Sequence, residues 1–257
     1  MSAQNASPAP APFAGVLVII PAYNEAANIA RVIADVRQHV PGADICVIND
    51  GSHDETGRLA AQAGAITLNM PFNVGIGAAV QTGFLYAYRH DYAEAVRIDG
   101  DGQHPPETIP ALLEALRAGS ADMVIGSRFL QADRIGYQGT LPRRIGIRLL
   151  TWVISVLTGE APSDPTSGFM VARRSAITFL AHEYPHDYPE PEARVLMHRA
   201  GLRVQEVPVT MRERLGGVSS ITSARSVYYM SKVLLALLLD AIRMPRWPGH
   251  PSETDQE

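Results

Sequence analysis

In the first half of the chain, short apolar runs alternate with amphipathic stretches. Val16-Leu17-Val18-Ile19-Ile20, Ile45-Cys46-Val47-Ile48, Ala65 to Leu68, Ala95-Val96-Arg97-Ile98 and Asp122 to Ile125 read as strands, the first stopped by Pro21. Helical patterns lie between them. The first takes Asn24 as its N-cap, sets Ala26, Ile29, Val32, Ile33 and Val36 on one face and breaks at Pro41-Gly42. Others run from about Asp54 to Ala63, Gly75 to Tyr88 and Pro106 to Ala118. Buried strands alternating with helices predict an α/β fold, a mostly parallel central sheet flanked by crossover helices.

The second half changes character. Ile145 to Leu157 and Val227 to Ile242 read as unusually apolar helices, interrupted by Arg148 in one and by Lys232 and Asp240 in the other. Neither supplies the roughly 20 apolar residues of a bilayer span. Trp152, Tyr228, Tyr229 and Trp247 as interfacial anchors, with Lys232, Arg243 and Arg246 as basic contacts, suit helices lying in a membrane surface. Packing as core helices, or against a second copy or a membrane-protein partner, is the equal alternative.

Composition narrows the class. At 257 residues, 46% hydrophobic and 19% charged, the chain is expected to form one globular domain over residues 15–222. Residues 1–14 read as an unstructured leader, rich in Ala, Ser and Pro and without the basic start and apolar core of a signal peptide. An amphipathic helix over 223–246 and a loose tail over 247–257 follow. A lone cysteine, Cys46, rules out a disulfide framework or thiolate cluster and points to a reducing cytoplasm. A net charge of −4 argues against a nucleic-acid partner. Local charge says more: Arg128, Arg134, Arg143, Arg144 and Arg148 are opposed between 128 and 148 by Asp133 alone, a basic patch suited to an anionic ligand or a membrane face.

Ligands of open α/β sheets bind beyond the carboxyl ends of the strands. Three successive strand ends here carry Tyr23-Asn24-Glu25, Asn49-Asp50-Gly51-Ser52 and Asp99-Gly100-Asp101. In the last, the glycines let the backbone turn so that Asp99, Asp101 and Gln103 converge on one hard cation, Mg²⁺ or Mn²⁺, whose natural partner is a diphosphate.

Taken in order, Pro21 to Glu25, Asn49 to Ser52 with Asp54, Asn73-Val74-Gly75-Ile76-Gly77, Asp99 to Gln103, Gly126-Ser127-Arg128 and Asp164 to Phe169 resemble family 2 glycosyltransferases. Asp99 to Pro106 is similar to the branch containing the dolichyl- and polyprenyl-phosphate mannose or glucose synthases. The resemblance covers roughly residues 15 to 220 and implies a GT-A fold, with a nucleotide-sugar half over 15–127 and an acceptor half over 128–222. It implies inverting transfer from a nucleoside-diphosphate sugar, GDP- or UDP-linked, to a polyprenyl phosphate at the cytoplasmic face of the membrane. By that resemblance Pro21, Ala22, Tyr23, Glu25 and Asp50 hold base and ribose, with Asn73 and Gly75 in the same pocket. Asp99, Asp101 and Gln103 are the metal and diphosphate positions, with Asp101 the principal ligand. Asn49 stands where family members usually carry Asp.

On the acceptor side, Arg128 and Arg144, with Arg148 less firmly, match phosphate-binding positions. A phosphate monoester is largely dianionic at neutral pH and needs charge-matched positioning rather than a base. Asp164 matches the base of relatives that act on hydroxyls; here it is either structural or orients the acceptor. Arg212 to Ser220 resembles a loop that closes over the diphosphate, with Arg212 or Arg214 bringing charge to the leaving group. His104 is expected to brace the acidic turn. The alternatives are a soluble enzyme acting on a saccharide or small-molecule hydroxyl with Asp164 as base, and a silent nucleotide-sugar sensor.

Overall fold

The structure, a computed structural model, describes residues 11–130, 141–186 and 189–212 and positions 232, 233 and 235. Seven strands, β1 (Val16–Ala22), β2 (Asp44–Asn49), β3 (Ile66–Asn69), β4 (Glu94–Arg97), β5 (Met123–Ser127), β6 (Met170–Arg173) and β7 (Val204–Pro208), form one sheet in the order β3-β2-β1-β4-β6-β5-β7. The helices are α1 (Ile29–His39), α2 (Thr56–Gln62), α3 (Ile76–Arg89), α4 (Ile109–Ala118), α5 (Leu141–Thr158), α6 (Arg174–Glu183) and α7 (Pro189–Arg199), with a 3-10 turn at Pro106–Thr108 before α4. Pairing is parallel except at β6, which runs antiparallel to both β4 and β5. The sheet is therefore mostly parallel, as the alternation of runs predicts.

Every residue of β1 is buried, so both faces of the sheet are covered. Side chains alternate across a strand. Val16, Val18 and Ile20 pack with α1 and α4, through Ile29, Ile33, Leu112 and Leu116. Leu17 and Ile19 face the opposite layer, with Phe84 of α3 and Ile177 and Leu180 of α6. A third cluster joins Leu150, Val153 and Ile154 of α5 to Val195 of α7 and Val233. α3 comes so close to β1 that a Cβ on Gly83 would lie 2.3 Å from Ile19 Cγ2. Gly83→Ala is expected to destabilise the fold by about 1–3 kcal/mol through overpacking, read as a lower urea midpoint.

Three expectations need correction. Pro21 does not stop β1, which runs on to Ala22. The Ile19 carbonyl accepts from Ile98 and the Ala22 carbonyl from Asp50, so by alternation Pro21 faces β4 beyond the last paired residues, Ile19 and Arg97, where no ladder N–H is required. Asn24 is not a cap: it sits at φ 55° in the loop, and α1 begins at Ile29 after Asn28. Residues 11–14, expected within the leader, are held on the domain instead: Ala14 N–H donates to the Ala11 carbonyl and Phe13 packs against the core. Cys46 is buried, which pushes its thiol up to about 12. No helix among the described residues is long and apolar enough to cross a membrane. The expected helix over Val227 to Ile242 lies outside the described residues except at Lys232, Val233 and Leu235.

Candidate functional site

The polar loops after β1 and β2 meet at one rim of the sheet and are tied together by hydrogen bonds. Ser52 Oγ accepts from Asn24 N–H, Thr56 Oγ1 from Glu25 N–H and Asp54 from Ala26 N–H. Asn24 Oδ1 accepts from His53 N–H, which explains why an asparagine takes the left-handed conformation there. Pro21 and Ala22 are buried below these loops, while Tyr23 is 43% exposed, its ring edge-on to His53. An exposed aromatic face beside polar loops suits a nucleobase.

Asp50 is buried and its carboxylate is spent on backbone: Oδ1 accepts from Val74 N–H at 2.7 Å and Oδ2 from Gly75 N–H at 3.1 Å. Asn73 Nδ2 donates to the Asp50 carbonyl. Asp50, Asn73 and Gly75 thus form one unit at the start of α3, where Gly75 has φ 90°. Asn49 has a structural role, donating to Asn69 Oδ1 and accepting from Ser52 N–H. The amide at position 49 thus serves as donor and acceptor at once, which a carboxylate would not.

Beyond β4, Asp99 to His104 form a tight turn with Gly102 at φ 78°. Asp101 is 5% exposed and its Oδ1 accepts from Gln103 N–H, which fixes the carboxylate. His104 Nδ1 accepts from Asp99 N–H at 2.9 Å, and its ring stacks on Phe169 at 5.0 Å. Burial holds its pKa below the ordinary value. His104 braces the turn, as expected. The donor set suits a hard divalent cation: carboxylates at Asp99 and Asp101 and an amide at Gln103, with the histidine nitrogen nearest the turn already engaged.

Behind the turn lies a group that the sequence reading passed over. Arg97 is 2% exposed; its Nη1 donates to Glu190 Oε1 at 2.8 Å and Tyr184 Oη at 3.2 Å, and its Nη2 reaches Asp99 Oδ1 at 3.5 Å. Burial works to lower the guanidinium pKa, but Tyr184, Glu190 and Asp99 around it raise it by more, so the net shift is upward. The available signal was an arginine at a buried strand position two residues before Asp99, hence on the same side.

The acceptor-side residues gather at the loop before β6. Asp164 is fully buried and takes a two-pronged grip from Arg128: Nε to Oδ2 at 2.6 Å and Nη2 to Oδ1 at 2.8 Å. Arg128 Nη2 also donates to Thr166 Oγ1. A supporting chain runs from Arg194 to Glu206 to Ser163 and on to Ser127, none of which the sequence reading singled out except Ser127. Next to this pair opens a cavity of about 320 Å³ lined by Phe129, Arg144, Ile147, Arg148, Thr151, Pro162 and Ser163. The structure therefore brings Arg144 and Arg148, one helical turn apart on α5, to a mainly apolar cavity beside the sequence neighbours of Arg128 and Asp164.

Arg212 departs from expectation. Its guanidinium pairs with Asp35 of α1 and Glu107, away from the acidic turn, while its N–H donates to the Gln103 carbonyl. Asp35, His39 and Glu107 have ligand-type atoms within 4.8 Å of one another, but Arg212 is ion-paired to both carboxylates of that group, so it is a salt-bridge cluster rather than a second metal site. Arg214 lies outside the described residues.

Known proteins are similar to this chain in sequence and in fold. Residues 17–178 match the sequence model described as "Glycosyl transferase family 2". The chain is 33% identical over 235 residues to a polyprenol monophosphomannose synthase of Mycolicibacterium smegmatis, covering 84% of each. It is 32% identical over 219 residues to an undecaprenyl-phosphate mannosyltransferase of Micrococcus luteus, covering 80% of this chain and 87% of the relative. Among solved structures, glucosyl-3-phosphoglycerate synthase from Mycobacterium tuberculosis, in complex with Mn²⁺, UDP and glucosyl-3-phosphoglycerate, superposes with a TM-score of 0.63 at 23% identity, over 90% of this chain and 80% of that one. That likeness establishes the GT-A architecture.

Proposed function

Because the chain belongs to glycosyl transferase family 2, we propose that it is an inverting, metal-dependent enzyme moving a sugar from a nucleoside-diphosphate sugar to a polyprenyl phosphate at the cytoplasmic membrane face. The observation that carries this reading is the buried Asp164–Arg128 pair beside the arginine-lined apolar cavity. A hydroxyl acceptor requires a base, and the Asp164 carboxylate has a guanidinium on both oxygens. A phosphate monoester arrives already ionised. Arg144 and Arg148 at the cavity mark a place for that phosphate, and Phe129, Ile147 and Pro162 a place for the first lipid units. The names of the relatives, with polyprenol and undecaprenyl phosphate as acceptors, support the same class.

In this reading Tyr23 covers the base, and Pro21, Ala22, Glu25, Asp50, Asn73 and Gly75 shape the pocket around the ribose and sugar. Asp99, Asp101 and Gln103 would hold Mg²⁺ or Mn²⁺, which neutralises charge developing on the departing diphosphate. A phosphate oxygen of the acceptor forms the bond to the anomeric carbon as the bond to the diphosphate oxygen breaks, inverting the centre. Ile145, Leu149, Trp152 and Val156, all exposed along one side of α5 next to the cavity, suit contact with a membrane surface.

The test is a panel of GDP- and UDP-linked sugars assayed with and without undecaprenyl or dolichyl phosphate. A lipid-linked product from at least one donor is expected, and none from any donor overturns the proposal. Asp164→Asn separates the acceptor classes. It is expected to lower transfer by about tenfold or less, whereas removal of a working base costs roughly 10²–10⁴-fold.

A further inference from the structure

We propose that Arg97 is the positioning residue of Asp99: its guanidinium, shared between Asp99 and Glu190 of α7, sets how strongly Asp99 is available to a divalent cation. The proposal rests on the reading of Asp99 and Asp101 as cation-binding carboxylates. Arg97 lies on β4, flanked in the sheet by β1 and β6, and is almost wholly removed from solvent. A charge so placed is tolerated only when paired. Its partners are distributed unevenly. Glu190 holds Nη1 at 2.8 Å with Tyr184 at 3.2 Å, while Asp99 stands at 3.5 Å from Nη2. The cation therefore leans toward α7 and reaches Asp99 at longer range, on the oxygen opposite the one that has His104 Nε2 at 3.7 Å.

Two further features mark the site as built for this side chain. Gly168 leaves room for the guanidinium plane, since a Cβ there would fall 2.8 Å from Arg97 Cζ. Arg97 Nε is buried without a hydrogen-bond partner, a cost that packing alone does not explain. Gly168 also belongs to the loop that begins at Asp164, so the same guanidinium touches the donor carboxylate, α7 and the root of the acceptor-side loop. Outer partners of metal ligands tune affinity through orientation and charge. Here the tuning is a competition between two carboxylates for one fork.

The competition gives a signed expectation. In Glu190→Gln the shape and the oxygen acceptor remain but the charge does not, so Arg97 draws harder on Asp99 and cation binding weakens. Arg97→Lys keeps a charge but has no fork to serve both partners, and weakens binding by misplacing Asp99. The probe is Mn²⁺ followed by electron paramagnetic resonance of the full chain with GDP or UDP present, alongside circular dichroism and melting temperature. Both variants are expected to raise the Mn²⁺ dissociation constant by about tenfold or more. Their deficit in transfer is expected to narrow as manganese is raised, a KM effect that mere loosening of the fold would not produce.

Wild-type Mn²⁺ affinity in folded Glu190→Gln overturns the inference, and that variant decides the matter if Arg97→Lys fails to fold. Asp101→Ala is the control for the underlying reading. If it loses Mn²⁺ while Glu190→Gln keeps it, the role of Arg97 alone fails; if it too binds Mn²⁺ as wild type does, the assignment of the acidic turn fails first.

Discussion

Asp101→Ala is expected to cut sugar transfer by about 10²–10³-fold, or more, even with saturating Mg²⁺ or Mn²⁺, because it removes charge stabilisation that acts chiefly in the transition state. Asp101 is the more buried of the two carboxylates in the turn, and its Oδ1 accepts the Gln103 N–H, so the substitution removes both the proposed metal ligand and the bond that shapes the turn. The damage is local. The turn lies beyond the end of β4, and His104 still braces the backbone at Asp99. Turnover at saturating metal, with circular dichroism to verify folding, is the check. Near-normal turnover would remove Asp101 from the machinery.

Arg128→Ala carries the other large expectation, because two costs coincide. Asp164 would be left fully buried with no guanidinium, and breaking a buried pair from one side destabilises by about 3–5 kcal/mol. If the proposed acceptor binds in the neighbouring cavity, it would also lose a nearby cation, and charge-assisted hydrogen bonds contribute roughly 1.5–3 kcal/mol each. The denaturant midpoint should therefore fall, and kcat/KM for a polyprenyl phosphate should fall by about 10-fold or more beyond any loss in donor hydrolysis. Arg128→Lys should recover part of the stability but not the two-pronged geometry. An Arg128→Ala protein as stable as wild type would mean that the pair does not hold the acceptor loop.

The first half of the fold was legible because β1 and β2 are nearly continuous apolar runs and α1 is a clean amphipathic pattern. Ile29, Val32, Ile33 and Val36 are all buried on α1 as their spacing requires. The second half was harder for physical reasons. β6 is only Met170 to Arg173 and passes into α6 without an intervening turn residue, and its antiparallel insertion between β4 and β5 leaves no mark on sequence order. β7, Val-Gln-Glu-Val-Pro, lies at a sheet edge and is only half buried, so its hydrophobic signal is weak. α7 has apolar, acidic and basic residues all buried, including Glu192 and Arg194, which blurs any period.

The site shows a similar division. Local motifs pointed to Tyr23, Asp50, Asp99, Asp101, Arg128 and Asp164, all in loops at or beyond strand ends, and of these the structure pairs Arg128 with Asp164 directly. Pairings across long sequence separations were not legible. Arg97 meets Glu190 and Tyr184 only because β4 neighbours β6, and Arg212 is committed to Asp35 and Glu107 only because its chain returns past α1. Asp164 is the instructive case. Its sequence position permits a base or a structural carboxylate, and the bidentate contact with Arg128, on which the proposal leans, is not legible there.

Phosphorus-31 NMR of a reaction containing enzyme, divalent metal, donor and undecaprenyl phosphate reads the bond in question directly. The phosphomonoester resonance of the lipid should convert to a phosphodiester in step with release of the nucleoside diphosphate, and not without metal. Nucleoside diphosphate released while the lipid monoester stays unchanged would show that the sugar goes to water or a hydroxyl, and that the arginine-lined cavity does not receive a phosphate.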